Sequence, residues 1–123
     1  MIYTSYFGNL RRIEKVCPNL FPVSIALYPP NWFRGARYRK LAPTADILRE
    51  WKEKHDVERY TKRFCDEVTS HLNRDEVIKD LMKLSNGHDA ALLCYERPGE
   101  FCHRHIVAQW LNRGGYKCEE LYL

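Results

Sequence analysis

The sequence has no run of about 18 apolar residues, the length that a bilayer-spanning helix requires, so no such helix is expected. The leading segment lacks the basic-then-apolar layout of a secretory leader, because Arg11 and Arg12 follow the first apolar residues instead of preceding them. A cytoplasmic location without a membrane is the expectation. There is no close CxxC pair: the five cysteines, at 17, 65, 94, 102 and 118, are odd in number and mostly far apart. A disulfide framework is therefore not expected, and all five are read as reduced thiols. Low-complexity tracts and internal repeats are absent too, which leaves one domain as the simplest reading of 1–123.

What is present suits a packed core. The chain has 123 residues, 45% of them hydrophobic, with three Trp, and that is enough apolar matter for one domain. A charged fraction of 29% with 13% aromatics argues against disorder. The net charge of +4 is local: residues 31–40, NWFRGARYRK, hold Arg34, Arg37, Arg39 and Lys40 with no acid, and the other 16 cations balance 16 carboxylates.

Residues 2–7, IYTSYF, are β-branched and aromatic and end at Gly8-Asn9, which predicts a first strand and a turn. A short helix over 10–16 stops at Pro18. Residues 23–28, VSIALY, form a nearly continuous apolar run between Pro22 and Pro29-Pro30, a second strand. Thr44, Asp56 and Asn73 each have the position of a helix cap, with apolar stripes following at three-to-four spacing, and Asn86-Gly87 ends the third of these helices. Residues 89–96 read as a strand buried on both faces. A helix carrying Cys102, His103 and Arg104 in its first turn follows and ends at Gly114-Gly115, and 116–123 form an edge strand. The alternation implies an α/β domain with a mostly parallel sheet of about four strands and helices on both faces.

In such a sheet, ligands bind beyond the carboxyl ends of the strands. That rule brings together Tyr6 and Asn9, Tyr28 with Arg34 and Lys40 of the basic segment, and residues 94–104 including Arg97 and Arg104. Cations and a helix N-terminus on one edge favour an anion, most simply a phosphate or a nucleotide. Cys102 in the first turn has the setting of a stabilised thiolate and a nucleophile, or else packs beneath the turn. His103 is a candidate base or phosphate contact, with its pKa lowered by the helix N-terminus, or a capping residue. Arg104 is a fork for an anion, or the partner of Glu96 or Glu100. Glu96, at the strand's end, is a candidate catalytic carboxylate or the group that orients Arg104.

No metal site is expected. Cys102 and His105 share a helical face and Cys94 could join them, but Cys-x7-Cys-His-x-His matches no established zinc spacing. Haem attachment fails because Gly99 stands where CxxCH needs its first cysteine, and no cofactor is expected. Trp32, Phe33 and Tyr38 among four cations allow a nucleic-acid or protein interaction surface as an alternative.

The run LLCYERPGEFCHRHIVAQWL at 92–111 resembles the signature of the bacterial and phage domain-of-unknown-function family 488. Its members show a strand ending Leu-Leu-Cys-x-Glu and a helix opened by Cys-His-Arg; Ala108 and Leu111 match later positions. IYTSYFGN at 2–9 is similar to the family's first strand. The Asp-x-Arg that many members carry on the second strand is missing from 24–28, SIALY. The resemblance implies a small three-layer, Rossmann-like α/β fold and no settled activity. Together the residues suggest an anionic, phosphate- or nucleotide-like ligand at the strand ends and the Cys102-His103-Arg104 helix start. The alternative is an enzyme acting on a nucleotide-like substrate through Cys102 or Glu96.

Overall fold

The β-branched and aromatic residues after Met1 pair on both sides in the computed structural model, which describes residues 1–123. In chain order the elements are β1 (Ile2–Tyr6), α1 (Leu10–Val16), β2 (Phe21–Ser24), β3 (Ala36–Arg37), α2 (Ala45–Lys54), α3 (Val57–Glu67), α4 (Arg74–Leu84), β4 (Ala90–Cys94), α5 (His103–Arg113) and β5 (Cys118–Glu120). The sheet runs β3-β2-β4-β1-β5 and every pairing is parallel. The fold is therefore a three-layer α/β domain of the Rossmann-like kind, with all strand carboxyl ends on one edge.

The layers follow from the two-residue period of the strands. Leu92 of β4 and Val23 of β2 join a 19-residue core with Ile47, Phe64, Leu81 and Val107 of α2 to α5. The neighbours Ala91 and Leu93 point the other way, into a six-residue core with Phe7, Ile13 of α1 and Phe33. All five residues of β4 are buried, as a central strand between two apolar layers requires.

Five strands stand where about four were expected. The additional one, β3, is two residues inside the basic segment, too short to show a period, and it lies along β2 with Val23 opposite Ala36. Gly35 permits that approach, since a Cβ there would lie 2.8 Å from the Pro22 carbonyl oxygen and 2.5 Å from the Phe33 ring. Phe33 and Tyr38 of this segment are buried and Trp32 is exposed. β2 also ends earlier than the apolar run suggested: Ile25 still donates to the Leu93 carbonyl, after which the chain leaves the ladder toward Pro29-Pro30.

Three of the four helices of the broad layer, α2, α3 and α4, are capped at the expected residues. Thr44 accepts from the Ile47 N–H, Asp56 from Arg59 and Asn73 from Glu76, each at 3.1 Å. Each bond satisfies one of the donors that a helix start leaves orphaned. Thr44→Ala should cost about 1 kcal/mol, read as a lower urea midpoint with unchanged slope. An unchanged midpoint would mean that α2 is held by its packing alone.

Candidate functional site

Past Ser24 and Cys94 the chain turns away from the sheet, and a pocket of about 440 Å³ opens between these two strand ends, α2, α3 and the start of α5. One wall is aromatic. Trp51 of α2 lies 4.7 Å from Phe101 and 5.7 Å from Tyr60 of α3, centroid to centroid, and Tyr60 meets Phe101 at 5.0 Å. Leu27, Pro43 and Leu48 extend the apolar lining, and Tyr28 and Tyr95 stand at the mouth, where the Tyr95 hydroxyl donates to the Tyr28 carbonyl oxygen. Ten of the 14 lining residues are hydrophobic, so the few polar groups set what is recognised.

Those groups are Lys52, Glu96 and the start of α5. Neither Lys52 nor the Glu96 carboxylate forms a salt bridge within 4.0 Å, so both remain available to a ligand. Tyr60 has a buried ring, and burial followed by the nearby Glu96 charge pushes its pKa upward, so the hydroxyl stays protonated. Cys102 is the N-cap of α5 rather than part of its first turn. The backbone N–H groups of His103 and Arg104 that follow have no helical acceptor.

The cysteines depart from the expectation of five free thiols. Cys94 and Cys102 are joined by a disulfide, their Cα atoms 7.3 Å apart; Cys17, Cys65 and Cys118 are free. Sequence spacing missed the pair because a strand end and a helix cap bring it together, with the 95–101 loop bulging outward. So long as that bond is intact, Cys102 is not a free nucleophile. Burial first, and then Glu120 and Glu119, push the Cys118 thiol up to about 12, which leaves it inert.

His103 is buried. Its Nε2–H donates to the Ile25 carbonyl oxygen at 2.8 Å, and its Nδ1 lies 4.0 Å from Cys102 Sγ. Its pKa falls to about 4, mainly through burial and, after the opposing Ile25 bond, through the Arg104 charge. The sequence pointed to the helix N-terminus as the cause; the structure gives burial as the largest one.

Arg104 has no exposure at all and is not turned toward a ligand. Its Nε and Nη2 form a fork on Glu120 of β5 at 3.0 and 2.9 Å, and Nη1 donates to Cys94 Sγ at 3.2 Å and to the Glu96 carbonyl oxygen at 2.5 Å. The partner is thus Glu120, not Glu96 or Glu100. Thr4 also donates to Glu120, at 2.6 Å, so β1, β5, β4 and α5 meet around this one ion pair.

The other expected anion contacts do not meet at the pocket. Tyr6 and Asn9 line a separate depression with Arg11, Arg12 and Lys15. Arg34 donates to the Asn31 carbonyl oxygen and Lys40 pairs with Asp80 of α4 at 3.4 Å. Arg97 is exposed in the loop. Of the predicted residues, Cys102, His103, Glu96 and Tyr28 are brought together. No sequence signal marks Trp51, Tyr60, Lys52 or Phe101 as site residues. Trp51 and Tyr60 fall on the apolar stripes of their helices, and no local signal separates a stripe residue that lines a cavity from one that fills the core.

No helix is long and apolar enough to cross a membrane. No curated protein and no solved structure matches the chain. A family model described as the active DUF488-N3 subclade, DUF488-N3a, matches residues 21–115, a span that runs from β2 to just past α5 and includes the whole pocket. The chain therefore belongs to the DUF488-N3a family.

Proposed function

We propose that the pocket binds a nucleotide-like ligand, its planar ring against Trp51, Tyr60 and Phe101 and its anionic end at Lys52 and the start of α5. The observation that carries this reading is a three-ring aromatic wall at the carboxyl ends of a parallel sheet, facing one unpaired cation and one unpaired carboxylate. Stacking supplies affinity for any flat ring. Glu96 would accept from an exocyclic amine or a sugar hydroxyl. Two backbone N–H groups at a helix start suit a phosphate. Arg104, Arg34 and Lys40 have no part in this version, because each already has a protein partner.

Titration with nucleoside monophosphates, nucleosides and inorganic phosphate, followed by tryptophan fluorescence, tests the reading. Saturable binding of a monophosphate is expected. Trp51→Ala should weaken it by about 5- to 150-fold, the equivalent of about 1–3 kcal/mol for one stacked base. Lys52→Ala should weaken the monophosphate and leave the nucleoside unchanged. Absence of saturable binding by every nucleotide and nucleoside, with a folded protein, would remove the proposal.

A further inference from the structure

We propose that in the reduced protein Cys94 Sγ, Cys102 Sγ and His103 Nδ1 hold one thiophilic divalent cation of the zinc class at the floor of the pocket. The three donor atoms lie within 4.8 Å of one another and all three residues are buried. They come from the end of β4, the N-cap of α5 and its first helical residue, so their sequence spacing follows no zinc motif even though their positions in space converge. The imidazole is also the neighbour of Cys102 rather than His105, the histidine that helical spacing pointed to.

The tautomer of His103 is the second observation. A carbonyl oxygen only accepts, so the 2.8 Å contact with Ile25 requires the hydrogen on Nε2 and leaves the Nδ1 lone pair directed to the Cys102 side. A backbone carbonyl behind one ring nitrogen is the arrangement that fixes ligating imidazoles in metal sites. Two thiolates offset the dication. Arg104 donates to Cys94 Sγ, and its own charge is met by Glu120, so Arg104 adds no uncompensated charge beside the thiolates. Cys2His supplies three ligands of a tetrahedral zinc. Because all three residues line the pocket, the fourth position opens into it.

The disulfide is the closed form of this site. A dithiol reductant delivers two electrons and two protons to the Cys94–Cys102 bond and leaves as its own disulfide; cation binding then displaces the two thiol protons. Two thiolates on one tetrahedral zinc sit about 3.8 Å apart, by the usual Zn–S length, and the 7.3 Å between the Cα atoms accommodates that separation. This proposal does not depend on the nucleotide reading and stands if no nucleotide binds.

The test uses the whole chain, reduced with a dithiol, desalted without oxygen and dialysed against zinc(II) or cobalt(II). One cation per chain is expected by elemental mass spectrometry, with a thiolate charge-transfer band for cobalt, and it should persist in C17S/C65S/C118S. Cys94→Ser and Cys102→Ser should each weaken binding at least about tenfold, with circular dichroism confirming the fold. The disulfide form should bind none. In the unmutated chain, zinc should slow alkylation of Cys94 and Cys102 and leave Cys17 and Cys65 unaffected. A reduced protein that binds no stoichiometric cation, a folded Cys94→Ser that binds like the parent, or unchanged alkylation of Cys94 and Cys102 would each overturn the proposal.

Discussion

An Arg104→Ala variant should lose about 3–5 kcal/mol of stability, the usual cost of stranding one member of a buried ion pair. For a domain of this size that is a fall in Tm on the order of 10–20 °C. The Glu120 side chain is only 9% exposed and would keep a single donor, Thr4, for a charge that the Arg104 fork now compensates. The Glu96 carbonyl oxygen and Cys94 Sγ would lose the donor they share. Most of the loss is attributable to the stranded carboxylate, which makes a sharper test possible. Arg104→Met combined with Glu120→Gln removes both charges and should recover at least half of the stability. A double variant no more stable than Arg104→Ala would show that the cost lies in lost packing and lost backbone bonds instead. Urea unfolding at neutral pH reads both.

Acid should weaken the fold through His103. The folded protein holds this imidazole at about 4, whereas the unfolded chain has it near the ordinary 6.5. Between these values the unfolded state binds more protons, so unfolding becomes easier as pH falls. The penalty is negligible above about pH 7, reaches about 2 kcal/mol by pH 5 and levels off below pH 4 at about 3 kcal/mol. The window from pH 7 to 5 separates it from most carboxylate titration. His105, also lowered mainly by burial, acts in the same direction. The measurement is urea unfolding of the disulfide-bonded chain with chelator present, compared with His103→Gln, in which most of the slope should vanish. Equal slopes in the two proteins would place the acid sensitivity elsewhere.

The helix layer was legible in the sequence because capping chemistry is local: Thr44, Asp56 and Asn73 each make their bond within three residues. The central strand was legible because five apolar residues in succession suit only a position between two layers. β3 was not, since two residues carry no period and their pairing depends on Gly35 and Phe33. The site was half legible. Glu96, Cys102 and His103 follow from the rule that parallel sheets bind ligands at their carboxyl ends. For Arg104 the sequence offers an anionic ligand, because a helix start beside cations suggests one, or a nearby partner in Glu96 or Glu100. Its real partner, Glu120, lies on the far side of β1 from β4, at a distance no helical spacing reports. The Cys94–Cys102 pair escaped for the same reason, and so did the aromatic wall, which forms only when α2, α3 and the 95–101 loop are packed together.

The sheet order has a consequence for assembly. β1 lies between β4 and β5, so Ile2 has for neighbours Ala90 on one side and Cys118 on the other. On a ribosome, neither neighbour exists until most of the chain has been made. IYTSYF therefore waits with both of its edges open, a β-rich segment able to pair with another copy of itself. Closing such distant parallel pairs is slow. Crowded synthesis should thus lose more of this protein to aggregation than its final stability would suggest, and slower translation late in the message, which lengthens that wait, should lower the yield.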